Sequence, residues 1–248
     1  MRRILVAANW KMNGDLESLT ALAQGFKQQI DRSKVDVAVF APFVYLPMLQ
    51  QQFAGSGIAF GGQNAHTQPK GAFTGEISLS MLKEFGSTHV LVGHSERRTL
   101  FAEDDALVAE KTALAIEAGV VPVVCIGETL EERESGVTEQ VVAKQIQAVI
   151  DRIGASALAK TVIAYEPVWA IGTGKTASAD QAQAVHAFIR SMVAKLDADV
   201  ASALTILYGG SVKAASAAEL FGQPDIDGGL VGGASLDLQE FVGICSAV

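Results

Sequence analysis

Residues 120–126 read VVPVVCI, the longest uninterrupted apolar run of the chain. Seven other short apolar or β-branched runs recur along the sequence. The first of the eight starts at residue 4 and the last at residue 228, so their starts are on average 32 residues apart, the length of a strand–helix–strand unit. Most are continuously apolar, which is typical of parallel strands covered on both faces. The runs are ILVAA (4–8), DVAVF (36–40), IAFGG (58–62), HVLVG (89–93), VVPVVCI (120–126), TVIAY (161–165), LTILY (204–208) and GGLVGG (228–233).

Helical periodicity occupies the gaps between these runs. Apolar residues recur every three or four positions over 16–30, 142–153 and 185–196. Ser178 and Gln181 form a capping-box pattern that predicts the start of the third of these helices. Eight β/α units in a chain without a linker predict a single-domain (β/α)8 barrel over residues 1–248. An open, doubly wound sheet has the same periodicity, so the positions of the polar residues must decide between the two folds.

The composition narrows the class of protein further. Of the 248 residues, 49% are hydrophobic and 19% are charged, which excludes an intrinsically disordered chain. The net charge of −8 disfavours a nucleic-acid or membrane partner, although a local basic pocket could still bind one small anion. Cys125 and Cys245 lie far apart without a C-x-x-C motif, and no apolar run has the length of a signal or membrane segment. These features predict a cytoplasmic protein.

Polar or glycine-rich residues follow several of the predicted strands. In a barrel, the carboxyl ends of all the strands meet at one rim, which is where active sites lie. One cation, one imidazole, one carboxylate and backbone N–H donors are therefore expected to converge there, forming an acid–base pair beside an anion cradle. The residues are Asn9, Lys11, His94, Glu166, Gly209, Gly210, Ser211, Gly232 and Gly233.

Five segments that contain these residues are similar to the motifs of one enzyme family. They are NWKMN (9–13), GHSERR (93–98), YEPVWAIGTGK (165–175), YGGS (208–211) and VGGAS (231–235). Over essentially its whole length the sequence resembles the triosephosphate isomerase family. The resemblance implies interconversion of dihydroxyacetone phosphate and glyceraldehyde 3-phosphate by a 1,2-proton transfer through an enediolate, without a cofactor or a metal.

The resemblance also implies a role for each catalytic residue. Glu166 would be the base, which needs a carboxylate whose proton affinity rises when water is excluded. His94 would be a neutral electrophile, and the helix that starts at Ser95 favours the neutral imidazole. Lys11 would supply positive potential beside Asn9 in the same pocket.

Further expectations concern the substrate phosphate, a lid and a partner subunit. The phosphate is expected at Asn9, Lys11, Gly172, Ser211, Gly232 and Gly233. A second copy of the chain is expected to bind a loop that contains Phe73, Thr74, Gly75 and Glu76. A mobile lid that excludes water is expected to consist of Pro167, Val168, Trp169, Ala170, Ile171, Gly172, Thr173, Gly174, Lys175, Thr176 and Ala177.

Other interpretations of the same residues remain open. Residues 172–177 fit the G-x-G-x-x-A pattern of dinucleotide binding, but they begin well beyond the preceding strand. A barrel that binds a phosphorylated sugar without catalysis would share the fold. Glu96 is interpreted as a structural partner for nearby cations. The acidic triplet at 103–105 and the acidic pair at 131–132 are interpreted as solvated helix starts.

Overall fold

Eight parallel strands pair in the order of the chain and close into a barrel. The computed structural model describes residues 2–171 and 177–248. The last strand pairs with the first, from Leu5 opposite Gly228 to Ala8 opposite Val231. This closure confirms the predicted barrel and excludes the open sheet. The strands are β1 (Leu5–Asn9), β2 (Asp36–Ala41), β3 (Ala59–Gly62), β4 (His89–Val92), β5 (Val121–Ile126), β6 (Val162–Tyr165), β7 (Thr205–Tyr208) and β8 (Gly228–Val231).

Helices follow each strand and surround the barrel. Ser178 and Gln181 form the expected capping box, because each backbone amide donates to the side chain of the other residue at 3.1 Å. Glu131 and Glu132 lie in the first turn of a short helix, as expected. Within the described residues the α-helices are α1 (Leu16–Gln29), α2 (Leu46–Gln52), α3 (Leu79–Glu84), α4 (Ser95–Phe101), α5 (Asp105–Glu117), α6 (Leu130–Glu134), α7 (Thr138–Ile153), α8 (Ala179–Ala194), α9 (Ala198–Ala203), α10 (Ala214–Phe221) and α11 (Leu238–Ser246).

Both faces of the strands are buried. Ala7, Leu91 and Leu207 belong to one cluster of buried side chains, and their neighbours Val6 and Val92 belong to a second, larger cluster that includes residues of the helices. Because successive side chains of a strand point to opposite faces, the first cluster fills the barrel and the second packs under the helices. This two-sided burial explains why the strands are continuously apolar in sequence. No helix of the described residues is long and apolar enough to cross a membrane.

The acidic segment before α5 differs from expectation at one residue. Asp104 caps α5 with its side chain, but Glu103 is buried and not solvated. The Glu103 carboxylate contacts the Arg97 guanidinium at 2.6 Å and the Lys111 ammonium at 2.7 Å. Lys111 also donates to the side chain of Asn64, so the cluster connects the end of β3 to α4 and α5. The expectation is wrong for Glu103 because two cations from the neighbouring helices compensate for its loss of hydration.

His186 on α8 is fully buried against the outside of the barrel. Its Nδ1 lies 3.2 Å from the carbonyl oxygen of Asp225, and its ring packs edge-on against that of Tyr165. Within the described residues its Nε2 has no hydrogen-bond partner. Burial lowers the pKa of His186 to about 3, so the imidazole is neutral in the folded protein at any pH near neutrality.

We expect this histidine to make the protein sensitive to acid. Between pH 6.5 and pH 3 the unfolded chain binds a proton at His186 that the folded chain does not, so stability falls as the pH falls. The loss is about 1.4 kcal/mol per pH unit within this window. Urea unfolding at pH 7, 6 and 5 measures it, with protein concentration held constant.

The matched variant is His186→Gln, which cannot gain this proton. Its free energy of unfolding should fall less steeply with decreasing pH than that of the wild type. The difference in slope should correspond to one proton, about 1.4 kcal/mol per pH unit. The comparison of slopes remains valid if the variant is less stable overall. Equal slopes for the two proteins between pH 6 and pH 5 would contradict the assignment.

Candidate active site

A cavity of about 320 Å³ opens at the carboxyl ends of the strands. Asn9 ends β1, His94 lies two residues after β4, and Glu166 directly follows β6. The barrel therefore brings together side chains that are far apart in sequence, such as Asn9 and Glu166, which are 157 positions apart. The predicted residues that line the cavity are Asn9, Lys11, His94, Glu166, Ala170, Ile171, Gly209, Gly210, Ser211, Gly232 and Gly233.

Glu166 and His94 form a buried pair in this cavity. Glu166 is 2% exposed and His94 is 6% exposed. One carboxylate oxygen of Glu166 lies 2.9 Å from Nε2 of His94, and the other accepts the backbone N–H of Ser95 at 2.9 Å. The backbone N–H of Glu166 donates to the carbonyl of Ile126 at 2.7 Å, which fixes the end of β6 against the end of β5. The carboxylate is thus held by two donors from the start of α4.

The second ring nitrogen of His94 indicates the protonation state of the ring. Nδ1 accepts the backbone N–H of Glu96 at 3.2 Å, at the start of α4. A nitrogen that accepts a hydrogen bond carries no proton, so the proton of the neutral ring is on Nε2 and points at Glu166. Burial lowers the pKa of His94, but the Glu166 carboxylate outweighs burial and the net shift is upward. Protonation of Nδ1 as well would remove the hydrogen bond that this nitrogen accepts from the backbone N–H of Glu96.

The pKa of Glu166 is shifted in the opposite direction. Burial raises it, yet the contact with His94, the hydrogen bond from Ser95 and the charge of Lys11 together lower it below its usual value. Glu166 is therefore ionised in the free protein, in the state that a base requires. Water exclusion is expected from the sequence to raise the proton affinity of Glu166. The contacts with His94, Ser95 and Lys11 prevent this rise in the free protein.

Lys11 is held in an uncommon backbone conformation. Its φ of +52° lies in the left-handed region, which non-glycine residues rarely adopt. Its N–H donates to the side chain of Asn9 at 3.1 Å, and its carbonyl accepts from Gln63 at 2.9 Å. Its ammonium lies 2.5 Å from the Glu96 carboxylate. Glu96 is therefore the partner of a nearby cation, as expected from the sequence. The strained turn aims the lysine into the cavity.

Three backbone amides line the other side of the cavity. Ser211 lies in the loop after β7, and Gly232 and Gly233 follow β8. Within the described residues these amides donate to no other protein group. Backbone N–H groups without a protein acceptor favour a bound anion, and Lys11 adds a positive charge beside them. The arrangement can hold a phosphate group.

The predicted lid is described only in part. Val168–Ala170 forms a 3-10 helix, and the indole N–H of Trp169 donates to the buried Glu128 carboxylate at 2.9 Å. The same Glu128 oxygen accepts from the hydroxyl of Tyr165 at 3.1 Å. The residues Gly172, Thr173, Gly174, Lys175 and Thr176 lie outside the described part of the chain, so the tip of the lid and the phosphate contact of Gly172 stay predictions.

The predicted dimer loop lies on the surface between β3 and α3. Phe73 is 43% exposed, and its ring lies 4.3 Å from the ring of His66 between centroids. Thr74, Gly75 and Glu76 are exposed as well. An exposed aromatic side chain at the tip of a loop is available for a partner, and its role in a dimer stays a prediction.

Some residues of the site were missed from the sequence. The Ser95 amide binds Glu166, and Gln63 reaches Asn9, Lys11 and the carbonyl of Phe40. The signal for Gln63 was a polar side chain directly after the end of β3, because that strand end lies on the same rim. No group of three or more potential metal ligands converges anywhere in residues 2–171 and 177–248.

The fold and the site define an enzyme of the (β/α)8 barrel class, with an ionised carboxylate, a neighbouring imidazole and backbone amides that can hold an anion. The sequence model of the family described as triosephosphate isomerase matches residues 4–248. Relatives named triosephosphate isomerase include those of Thiobacillus denitrificans, 60% identical over 100% of this chain and 99% of theirs, and of Cupriavidus necator, 56% identical over 100% of both. The relative from Pseudomonas paraeruginosa is also 56% identical, over 100% and 99%. The chain belongs to the triosephosphate isomerase family, and it is an isomerase.

Proposed function

We propose that the chain interconverts dihydroxyacetone phosphate and glyceraldehyde 3-phosphate, a step of glycolysis and gluconeogenesis. The family and its relatives support this reaction. The observation that supports the roles of the residues is the buried contact of 2.9 Å between Glu166 and Nε2 of His94, in a cavity also lined by three backbone amides that have no protein acceptor in the described residues. Glu166 and the three amides line the same cavity of about 320 Å³, which suits a small phosphorylated triose.

The substrate phosphate binds to the amides of Ser211, Gly232 and Gly233. Lys11 lies between this cradle and Glu166, so that its ammonium stabilises both the phosphate and the negative charge that develops on the enediolate. Asn9 orients Lys11 through the backbone. Gly172 would add a fourth amide when the lid closes.

Glu166 transfers the proton between the two carbons. Its carboxylate leaves the Ser95 amide and His94, takes a proton from one carbon, and returns it to the neighbouring carbon. The loss of both donors removes two of the causes that lower its pKa, while burial, which raises it, remains. The proton affinity of the base therefore rises when the substrate is in place.

His94 stabilises the oxygens of the enediolate. Once Glu166 has moved, the N–H at Nε2 is free to donate to the substrate oxygen that gains negative charge. The reaction also requires the hydroxyl proton to pass from one substrate oxygen to the other, and His94 relays it by giving its Nε2 proton to one oxygen and taking the proton of the other. The backbone N–H of Glu96 keeps Nδ1 unprotonated, so the donor is a neutral imidazole. A lid closed over the site would exclude water, which strengthens these interactions and protects the enediolate from loss of phosphate.

The direct test is an isomerisation assay with the purified chain in the presence of a chelator and without nucleotides. The wild type is expected to convert each triose phosphate into the other. Binding of a triose phosphate without conversion would favour the barrel that only binds. A requirement for added metal or nicotinamide would contradict the mechanism.

The chain is further proposed to act as a homodimer in the cytoplasm. The exposed Phe73 loop supports an interface, and Cys125 and Cys245 are both free and buried, which fits a reducing compartment. Light scattering at micromolar concentration is expected to give twice the mass of one chain. A monomer mass at that concentration would contradict the dimer.

A further inference from the structure

The side chains already described around the active-site cavity have a negative total charge, which opposes the binding of a dianionic substrate. Lys11 is paired with Glu96, and Glu166 is ionised, so these three side chains together carry a charge of −1. The whole chain carries a charge of −8. A phosphate that approaches such a site meets repulsion at distances where the hydrogen bonds of the backbone amides do not yet act.

Lys213 supplies the missing positive charge. Among the described residues that line the cavity, the charged side chains are those of Lys11, Glu166 and Lys213. Lys213 lies two residues after Ser211 and precedes α10 directly, and its ammonium has no carboxylate oxygen within 4.0 Å in the described residues. Its charge is thus not cancelled by a protein partner, in contrast to that of Lys11.

The backbone of Lys213 is fixed although its side chain is exposed. The preceding Val212 is buried, and the N–H of Lys213 donates to the hydroxyl of Ser216 at 3.2 Å. The next amide, that of Ala214, donates to the Glu240 carboxylate at 3.1 Å, so the N-terminus of α10 is already occupied by a protein anion. The cation available to a ligand at this rim is therefore the lysine side chain and not the end of the helix.

We infer that Lys213 is a substrate-binding residue that attracts the phosphate and holds it on the solvent side of the cradle formed by Ser211, Gly232 and Gly233. The inference rests on the proposed function, because it assigns the phosphate end of the same site. In the described residues the Lys213 ammonium pairs with no carboxylate, Glu166 included, so it acts on binding and not on the proton transfer. Its contribution is electrostatic and decreases as salt screens the charge, over about 10 Å at 0.1 M ionic strength.

The test compares Lys213→Gln with Lys213→Arg and with Lys195→Gln. Lys195 lies at the end of α8, away from the cavity, so its replacement makes the same change in net charge without touching the site. At low ionic strength Lys213→Gln is expected to lower kcat/KM roughly five- to tenfold, with kcat within about twofold of the wild type. The loss should shrink as salt is added. Lys213→Arg should retain most of kcat/KM, and Lys195→Gln should match the wild type.

Calorimetric titration with inorganic phosphate separates this inference from the proposed function. Lys213→Gln should weaken phosphate binding by a similar factor whether or not the chain is an isomerase. If the wild type isomerises no triose phosphate but Lys213→Gln still weakens phosphate binding, only the proposed function is wrong. Unchanged phosphate binding and unchanged kcat/KM in Lys213→Gln would overturn the inference, as would a loss confined to kcat or an equal loss in Lys195→Gln.

Discussion

The Glu166→Gln variant is expected to lose a factor of about 10²–10⁴ in kcat, the contribution of a well-placed general base. The amide has nearly the same shape as the carboxylate but cannot accept a proton from carbon. The Ser95 amide can still donate to the amide oxygen of Gln, whereas the NH₂ group then faces the N–H at Nε2 of His94. The fold should persist, because only one of the two hydrogen bonds at this position is lost.

Two measurements separate lost chemistry from lost structure. In deuterated water the wild type should exchange a carbon-bound hydrogen of dihydroxyacetone phosphate for deuterium, because the protonated Glu166 exchanges with solvent. Glu166→Gln should lose this exchange together with isomerisation, while it binds phosphate at least as tightly as the wild type, because a negative charge that lines the cavity is removed. Glu110→Gln, at a surface ion pair with Arg152, is the control for the loss of one carboxylate charge.

An outcome within tenfold of the wild-type rate would remove Glu166 as the base. A second carboxylate near the site is that of Glu96, which is half-exposed, pairs with Lys11 and lies 3.6 Å from Nδ1 of His94. Retained deuterium exchange in Glu166→Gln would point to that residue. A parallel loss of phosphate affinity would mean instead that the variant disturbs the site as a whole.

The fold could be predicted because its strands are buried on both faces. A run such as 120–126 cannot lie at a surface, and eight such runs at regular intervals favour a parallel sheet, either closed or open. The polar residues at the ends of the strands then favour the closed barrel. The predicted and observed strands differ by one or two residues at their ends. Those ends depend on where backbone hydrogen bonds stop, as at Val92, which the composition of the run does not determine.

The site could be predicted in position but not in its contacts. Asn9, His94 and Glu166 follow strand ends, so the topology alone places them at one rim. The hydrogen bond from Ser95 to Glu166 joins residues 71 positions apart, and the burial of Glu103 depends on two cations from other turns. Such contacts depend on how neighbouring strands are staggered, which the types of residue do not determine. For the same reason the lowered pKa of Glu166 in the free protein could not be anticipated from residue types.

Gly127→Ala is expected to damage both stability and catalysis. Gly127 follows β5, and a Cβ atom at this position would lie 1.7 Å from the carbonyl oxygen of Glu166 and 3.3 Å from its Cα. The obstructing atoms belong to the backbone, so no side-chain rotation can relieve the clash. Gln145 bonds both the N–H and the carbonyl of Gly127, at 2.8 and 3.1 Å, which prevents this segment from moving outward freely.

The strand ends must therefore separate, and Glu166 moves with the end of β6. Overpacking of a buried site costs about 1–3 kcal/mol, and we expect the upper end of this range because backbone opposes backbone. A displacement of about 1 Å at the base lowers the catalytic rate about 10²-fold. The predicted signature is a lower free energy of unfolding together with a lower kcat, measured by urea unfolding and by the isomerisation assay.

Gly136→Ala provides the matched control for this glycine. Gly136 lies between α6 and α7, where a Cβ atom would meet open space, but its φ of +72° disfavours alanine. Its replacement should cost about 1–2 kcal/mol of stability through the backbone alone and leave kcat unchanged. Gly127→Ala must lose activity that Gly136→Ala retains, because only Gly127 touches the residue that carries the base. Equal kcat values in the two variants would show that the ends of β5 and β6 can separate without moving Glu166.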